Sequence, residues 1–359
     1  MKTFHCSNCD NPVYFENTFC EKCHYNIGYD VIQNEMLSFD QNIQRWKAKT
    51  GEYKTYHYCQ NQQLNVCNWL IPEEATENYC KACSLNRTIP DISDKSQKAN
   101  WYLLEQGKHR LIYQLLRLNL PVESKLEQPN NGLCFDFLSN QNITDSDQKV
   151  MTGHAEGVIT ITLSEADTVQ REKLREQLNE PYRTIIGHFR HEVGHYYWER
   201  IIVSNQELLE QFRNLFGDER SSYADALDTH YKNGAPSNWD QNFISSYASA
   251  HPWEDWAETW AHYLHFMDTL ETAFYTNIQI GTDTNHTTNA KTKPIFNPYK
   301  EKDFDVILDT CIPLYIGLNN LNRSMGIKDI YPFVVNITVV QKLKYIHQIV
   351  RFNMMYIPK

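Results

Sequence analysis

The stretch His191-Glu192-Val193-Gly194-His195 has the residue types and spacing that most directly imply chemistry. Positions four apart share one face of a helix, so His191 and His195 can offer imidazole nitrogens to one zinc ion. Glu192 then points beside them at the zinc-bound water, where it can act as general base. Chance alone yields this pattern in about four of a hundred chains of such composition, so its surroundings must decide. A catalytic zinc needs a third protein ligand and an open position. The segment His251 to His262 supplies two candidates: Glu254 and Glu258 lie four apart just after Pro252, which suits a first helical position. One carboxylate can bind the metal while the other accepts the outer N–H of a ligating histidine. Spacing alone leaves the choice between them open. Trp253, Trp256, Trp260 and Tyr263 surround these acids, which argues against a merely solvated face, because carboxylates near buried aromatic surface need partners.

A second set of metal-ligand types lies at the start of the chain, where eight of the ten cysteines fall within the first 83 residues. Cys6-x2-Cys9 and Cys20-x2-Cys23 read as two knuckles that complete one four-thiolate zinc site. Cys59-x7-Cys67 with Cys80-x2-Cys83 reads as a second site. The competing reading is a disulfide framework. It is disfavoured by the tight Cys-x2-Cys pairs and by a start that lacks the apolar core of a signal peptide, so a cytoplasmic location is expected. The full expectation is therefore three zinc ions, one catalytic and two structural. Cys134 and Cys311 sit in apolar surroundings and read as small buried hydrophobes. His188, His262 and His265 read as helix-surface residues or as groups behind the ligands. His154 is expected to face the cleft or cap a turn, and Asp218-Glu219-Arg220 to start a helix.

These groups need elements to hold them. The chain has 359 residues, 41% hydrophobic and 22% charged, with 22 Tyr, 16 Phe and 8 Trp, enough to build a substantial core. No apolar run approaches the roughly 20 residues of a membrane-spanning helix. The net charge of −10 is spread as −3 over residues 1–95 (9 Lys/Arg against 12 Asp/Glu) and −7 over the remainder (25 against 32), which disfavours nucleic acid as a partner. The polar stretch Asp91 to Lys98 reads as a linker. It separates a ribbon region, 1–95, whose fold zinc would stabilise, from a second domain, 96–359. A helix is expected over 101–118, strands over 133–138 and 157–163, and helices over 165–178, 183–203, 207–216, 219–231, 252–274, 303–323 and 338–352. The fold class is α+β: a double zinc ribbon followed by a mainly helical domain with a small sheet. Residues 276–302 read as a long lid-like loop, and the 157–163 strand as an edge to which an extended peptide adds.

The sequence also resembles a family of bacterial zinc-binding metallopeptidases that carry an N-terminal zinc ribbon. The resemblance covers nearly the whole chain. It rests on the cysteine knuckles, Cys67-Asn68-Trp69, Thr152-Gly153-His154, the run from Gly187 to Trp198, Phe216-Gly217-Asp218-Glu219-Arg220, and His251 to His262. It implies a zincin-like peptidase. A more local similarity to lethal-factor-like zinc proteases, through the spacing of Tyr247, Glu254 and Glu258, implies Glu254 as zinc ligand, Glu258 behind it, and Tyr247 as the group that stabilises the oxyanion. The expected activity is hydrolysis of a peptide or protein substrate, with Glu192 taking the proton of the attacking water and returning it to the leaving amine. Two rivals are a ribbon-centred adaptor on a non-catalytic zincin scaffold and a zinc hydrolase of non-peptide amides. The ribbon itself is expected to contact another protein or to pack on the second domain.

Overall fold

The computed structural model describes residues 1–140, 150–177, 184–279 and 296–356. The first ninety residues are built from short strands, because turns, some of them cysteine loops and some not, reverse the chain every few residues. β1 (Phe4–His5) and β2 (Pro12–Val13) form one small hairpin. β3 (Ile27–Asp30), β4 (Glu35–Asp40), β5 (Arg45–Lys47) and β6 (Tyr53–Lys54) form an antiparallel sheet in sequence order, and β7 (Tyr56–Tyr58) pairs with β8 (Leu70–Pro72). The next strand, β9 (Asn86–Thr88), leaves this region. It pairs in parallel with β10 (Cys134–Leu138) and becomes an edge of the second region's sheet, whose order is β11 (Gly153–Ala155), β12 (Val158–Thr162), β10, β9.

Two expectations change here. Strand 157–163 is interior rather than an edge, since β10 and β11 flank it, and among the described residues the edge on its side is β11. β11 is only three residues long, too short for alternation to mark it. The linker expected over Asp91 to Lys98 is also shorter, because Asp94 caps a helix that already begins at Lys95, with its carboxylate accepting from the Ser96 and Gln97 amides.

That helix, α1 (Lys95–Arg117), is followed by α2 (Thr168–Gln177), α3 (Ile185–Tyr197), α4 (Gln206–Phe216), α5 (Tyr223–Asn233), α6 (Pro252–Thr276), α7 (Phe304–Ser324) and α8 (Ile337–Tyr356). The helix expected over 183–203 ends in a π-turn at Trp198–Ile202. The one expected from Asp218 starts later, with Ser222 as its cap. Asp218 instead pairs with Arg220, and Glu219 with Arg213. Of the loop expected over 276–302, residues 280–295 lie outside the described residues.

One apolar core runs through both regions, from Phe4, Phe15, Tyr29 and Trp69 through Trp101 and Tyr113 to Trp256, Trp260 and Ile346. Rings cross the boundary directly: Phe15 lies 5.5 Å from Tyr113, and Trp69 lies 5.3 Å from His109. Beneath β9, buried Glu105 accepts from Asn86 Nδ2 and Trp101 Nε1 and pairs with buried Lys108 at 2.8 Å. The ribbon region is thus fused to the second region through a shared core and a shared sheet.

Candidate metal centre

The HExxH segment lies on α3. Thr184 caps this helix by accepting from the Gly187 amide. Glycine at 194 looks unfavourable in a helix interior, costing ~1 kcal/mol relative to alanine. Its reason is the neighbouring helix: a Cβ there would sit 3.0 Å from Ala257 Cα and 3.2 Å from Trp260 Cβ. The absent side chain lets α3 and α6 cross closely, and the Trp256 indole donates to the Gly194 carbonyl at 2.8 Å, fixing their register. α1 approaches the other side of α3 in the same way, at Gly107, where a Cβ would lie 2.7 Å from Ile185 Cγ2.

That crossing brings together residues 63 positions apart. Pro252 opens α6, with His251 Nδ1 accepting from the Trp253 amide, so Glu254 falls in the first turn, where the helix dipole favours a carboxylate. Ligand atoms of His191, His195 and Glu254 all lie within 4.8 Å of one another. The two Nε2 atoms are 3.2 Å apart, close to the ~3.3 Å edge of a tetrahedron with zinc–nitrogen bonds of about 2.0 Å. Glu254 Oε2 lies 3.0 Å from His191 Nε2 and has no hydrogen-bond partner, although Glu254 is only 1% exposed. Glu254 Oε1 is the oxygen nearer His195 Nε2, at 3.7 Å, so the carboxylate as a whole faces both imidazoles; a cation fits here, since buried Oε2 otherwise stays uncompensated.

Glu258, one turn on, meets the opposite nitrogen of the same ring: its Oε1 is 2.7 Å from His191 Nδ1, and its Oε2 accepts from Ser245 Oγ at 2.7 Å. This arrangement would make Nδ1 the protonated nitrogen and leave Nε2 free to bind metal. Tyr247 lies against the cluster, its ring 6.0 Å from that of His191 and its phenol pushed well above its usual range by burial and then by the Glu254 carboxylate.

Glu192 sits beside the three ligand candidates, 3.2 Å from His188 Nε2. The other nitrogen of His188 is 3.3 Å from Glu165. His188 is therefore a bridge between two carboxylates. Burial would lower its pKa, but Glu165 and Glu192 raise it to about 9. Burial likewise works against ionised Glu192, yet His188 and the two motif histidines hold it below the usual carboxylate range. His191 is drawn well above the ordinary histidine range by Glu254 and Glu258, against the effect of its burial. The pocket thus concentrates carboxylates, an electrostatic setting that suits a divalent ion.

His262 and His265 are core residues, meeting the Tyr331 hydroxyl at 2.7 Å and Arg190 at 2.6 Å. His154 caps a turn, its Nε2 accepting from the Gly157 amide between β11 and β12, and its ring stacks 6.3 Å from that of His195. Sequence reasoning missed Tyr223, whose hydroxyl donates to Glu254 Oε1 at 2.6 Å. No spacing rule links α5 to α6. It also missed the contact of Trp253 with His195, whose rings meet edge-on at 5.5 Å.

The eight cysteines form two sets of four. Within Cys6, Cys9, Cys20 and Cys23, and within Cys59, Cys67, Cys80 and Cys83, all sulfurs lie within 4.8 Å of one another, and all eight are free thiols. Cross-knuckle sulfur distances are 3.6 Å for Cys6–Cys23 and Cys9–Cys20 and 3.7 Å for Cys67–Cys80. These match the ~3.8 Å edge of a tetrahedron with zinc–sulfur bonds of about 2.3 Å, and are far longer than a ~2.05 Å disulfide bond. The two knuckles of the first set repeat one turn: Asp10 and His24, each four residues after a first cysteine, have φ of 57° and 60° and donate their amides back to Cys6 and Cys20. In the second set, the Trp69 and Cys80 amides point at Cys67 and Cys59 sulfurs at 3.4 Å. His109 Nε2 approaches Cys83 from outside at 3.6 Å. Cys83, Glu105 and His109 also converge, but Glu105 already pairs with Lys108, so this trio belongs to the buried seam.

Among the described residues no helix is long and apolar enough to cross a membrane. No solved structure matches the chain. Three relatives, one uncharacterized protein of Mycobacterium bovis and two of Mycobacterium tuberculosis, are each 39% identical over 352 residues, covering 98% of this chain and 95% of their own. A zinc-ribbon family model matches residues 3–94, and a second model, described as putative zinc-binding metallo-peptidase, matches 97–349. A chain that joins two four-cysteine sets to a His/His/Glu cluster over that whole span belongs to this zinc-binding metallo-peptidase family and carries a zinc-ribbon domain at its N-terminal end.

Proposed function

We propose that the protein is a zinc-dependent peptidase with one catalytic and two structural zinc ions. The observation that carries the reading is the convergence of His191 Nε2, His195 Nε2 and a hydrogen-bond-free oxygen of Glu254 at one buried point, with Glu192 beside it. His191, His195 and Glu254 would hold the ion, and Glu258 would orient His191 through its outer nitrogen. Zinc bound there would acidify a water molecule and polarise a substrate carbonyl. Glu192 takes the proton of the attacking water and delivers it to the leaving amine, its ionised form favoured by His188. Tyr247 donates toward the developing oxyanion from beside His191. An extended substrate adding to the edge strand β11 would run past His154 and His195. Eight free thiols suit a reducing, cytoplasmic setting.

The experiment is an unbiased peptide-library digest by the wild type and Glu192→Gln side by side, with metal content measured on both. The reading expects cleavage by the wild type alone and equal zinc in the two. Equal cleavage by both, or by neither, would refute it.

A further inference from the structure

α5 lies over the candidate metal centre with very little apolar anchorage. None of its residues is buried. The segment that carries it runs from Gly217, which ends α4, to Gly234, which ends α5, and their φ values of +105° and +74° lie where other side chains are strained. What reaches from α5 into the site is a few side chains. The Tyr223 hydroxyl donates to Glu254 Oε1, its ring meets His251 and Trp253 edge-on at 5.2 and 6.0 Å, and the His230 ring lies 5.9 Å from Tyr247.

A carboxylate that must face two imidazoles can rotate about its own axis unless one of its oxygens is held. Ordering it at the moment of metal binding would cost side-chain entropy. With Tyr223 holding Oε1, which lies 3.7 Å from His195 Nε2, Oε2 is turned to His191 Nε2 at 3.0 Å. We infer that Tyr223 is a positioning residue for the Glu254 ligand, and that metal occupancy of the His191/His195/Glu254 cluster is linked to the docking of α5. The inference rests on the metal-site reading given above. Linkage makes the coupling reciprocal: the factor by which docked α5 raises zinc affinity is the factor by which zinc stabilises docked α5. The segment 217–234 is then a flap whose closure the metal reports.

The test uses the full chain, with zinc as the probe. In Tyr223→Phe, competition against a chelator should show the third zinc held about 10 to 100 times more weakly, the effect typical of removing a ligand's hydrogen-bond partner. The affinities of the two sulfur sites should not change, because Tyr223 meets Glu254, His251 and Trp253 and neither cysteine set. In the wild type, filling the third site should slow amide hydrogen exchange within 217–234, and this protection should shrink in Tyr223→Phe. Unchanged third-site affinity in Tyr223→Phe, or exchange in 217–234 that ignores zinc in the wild type, overturns the coupling while leaving the metal site standing. A wild type that takes up no third zinc overturns both.

Discussion

The ribbon's sulfur sets and the His/Glu cluster are both arrangements of four or fewer donors around one point, but they are assembled in opposite ways. Cys6 to Cys23 close on themselves within 17 positions, through two copies of one turn and backbone hydrogen bonds inside each loop. His191 and Glu254 meet only because two long helices cross at a glycine, and the geometry there is held by Glu258 and His188 on those helices and by Ser245, Tyr223 and Glu165 from three other segments. A local, all-sulfur set is closed and suited to stabilising a fold. A long-range, mixed set with a carboxylate beside it is suited to chemistry, and it depends on the whole domain.

The contrast breaks most sharply at Glu192. Its change to glutamine should lower hydrolysis by about 10² to 10⁴, the usual contribution of a positioned base, and leave all three zinc ions in place. Kinetics on a library-derived peptide, with metal analysis, reads both, and loss of zinc would show that Glu192 is a ligand.

Next in size is the choice between the two acids. Glu254→Gln should lose the third zinc. Glu258→Gln should keep it but bind it about 10 to 100 times more weakly, because that residue meets His191 at its outer nitrogen, away from Nε2. A zinc titration giving the reverse order would exchange their roles and remove the argument for Tyr247.

Chelation separates the regions directly. A mild chelator should abolish activity before the ribbon loses its fold, since four-thiolate sites offer no open position. Coincident loss, followed by activity and by circular dichroism, would show the two kinds of site to be equally accessible.

The smallest effect falls on stability. Gly194→Ala should lower it by about 1 to 3 kcal/mol, although alanine is the better helix former, because the added methyl meets the α6 backbone. Denaturant unfolding that showed a gain instead would mean that the helices can part at little cost.

Much of this was legible in advance, and the reasons are local. A helical 3.6-residue period and Pro252 mark α3 and α6, and a Cys-x2-Cys loop is short enough to define its own turn. Spacing therefore puts His191, His195 and the cysteines together with no knowledge of the fold. It also offers Glu254 and Glu258 as a pair without ordering them, since both share one helical face.

What only the tertiary structure decided depends on contacts between distant segments. The crossing at Gly194 determines which acid faces Nε2 and which faces Nδ1. The pairing of β9 with β10 carries the first region's chain into the second region's sheet, so the division at 95 that composition suggests is spanned by one core. Three-residue β11 becomes the edge strand among the described residues, a role that no alternation pattern of that length can encode. Tyr223 and His188 acquire partners on α6 and in the turn before α2. A sequence specifies neighbours along one element through its period, whereas neighbours across elements follow from which surfaces pack, a property of the whole chain.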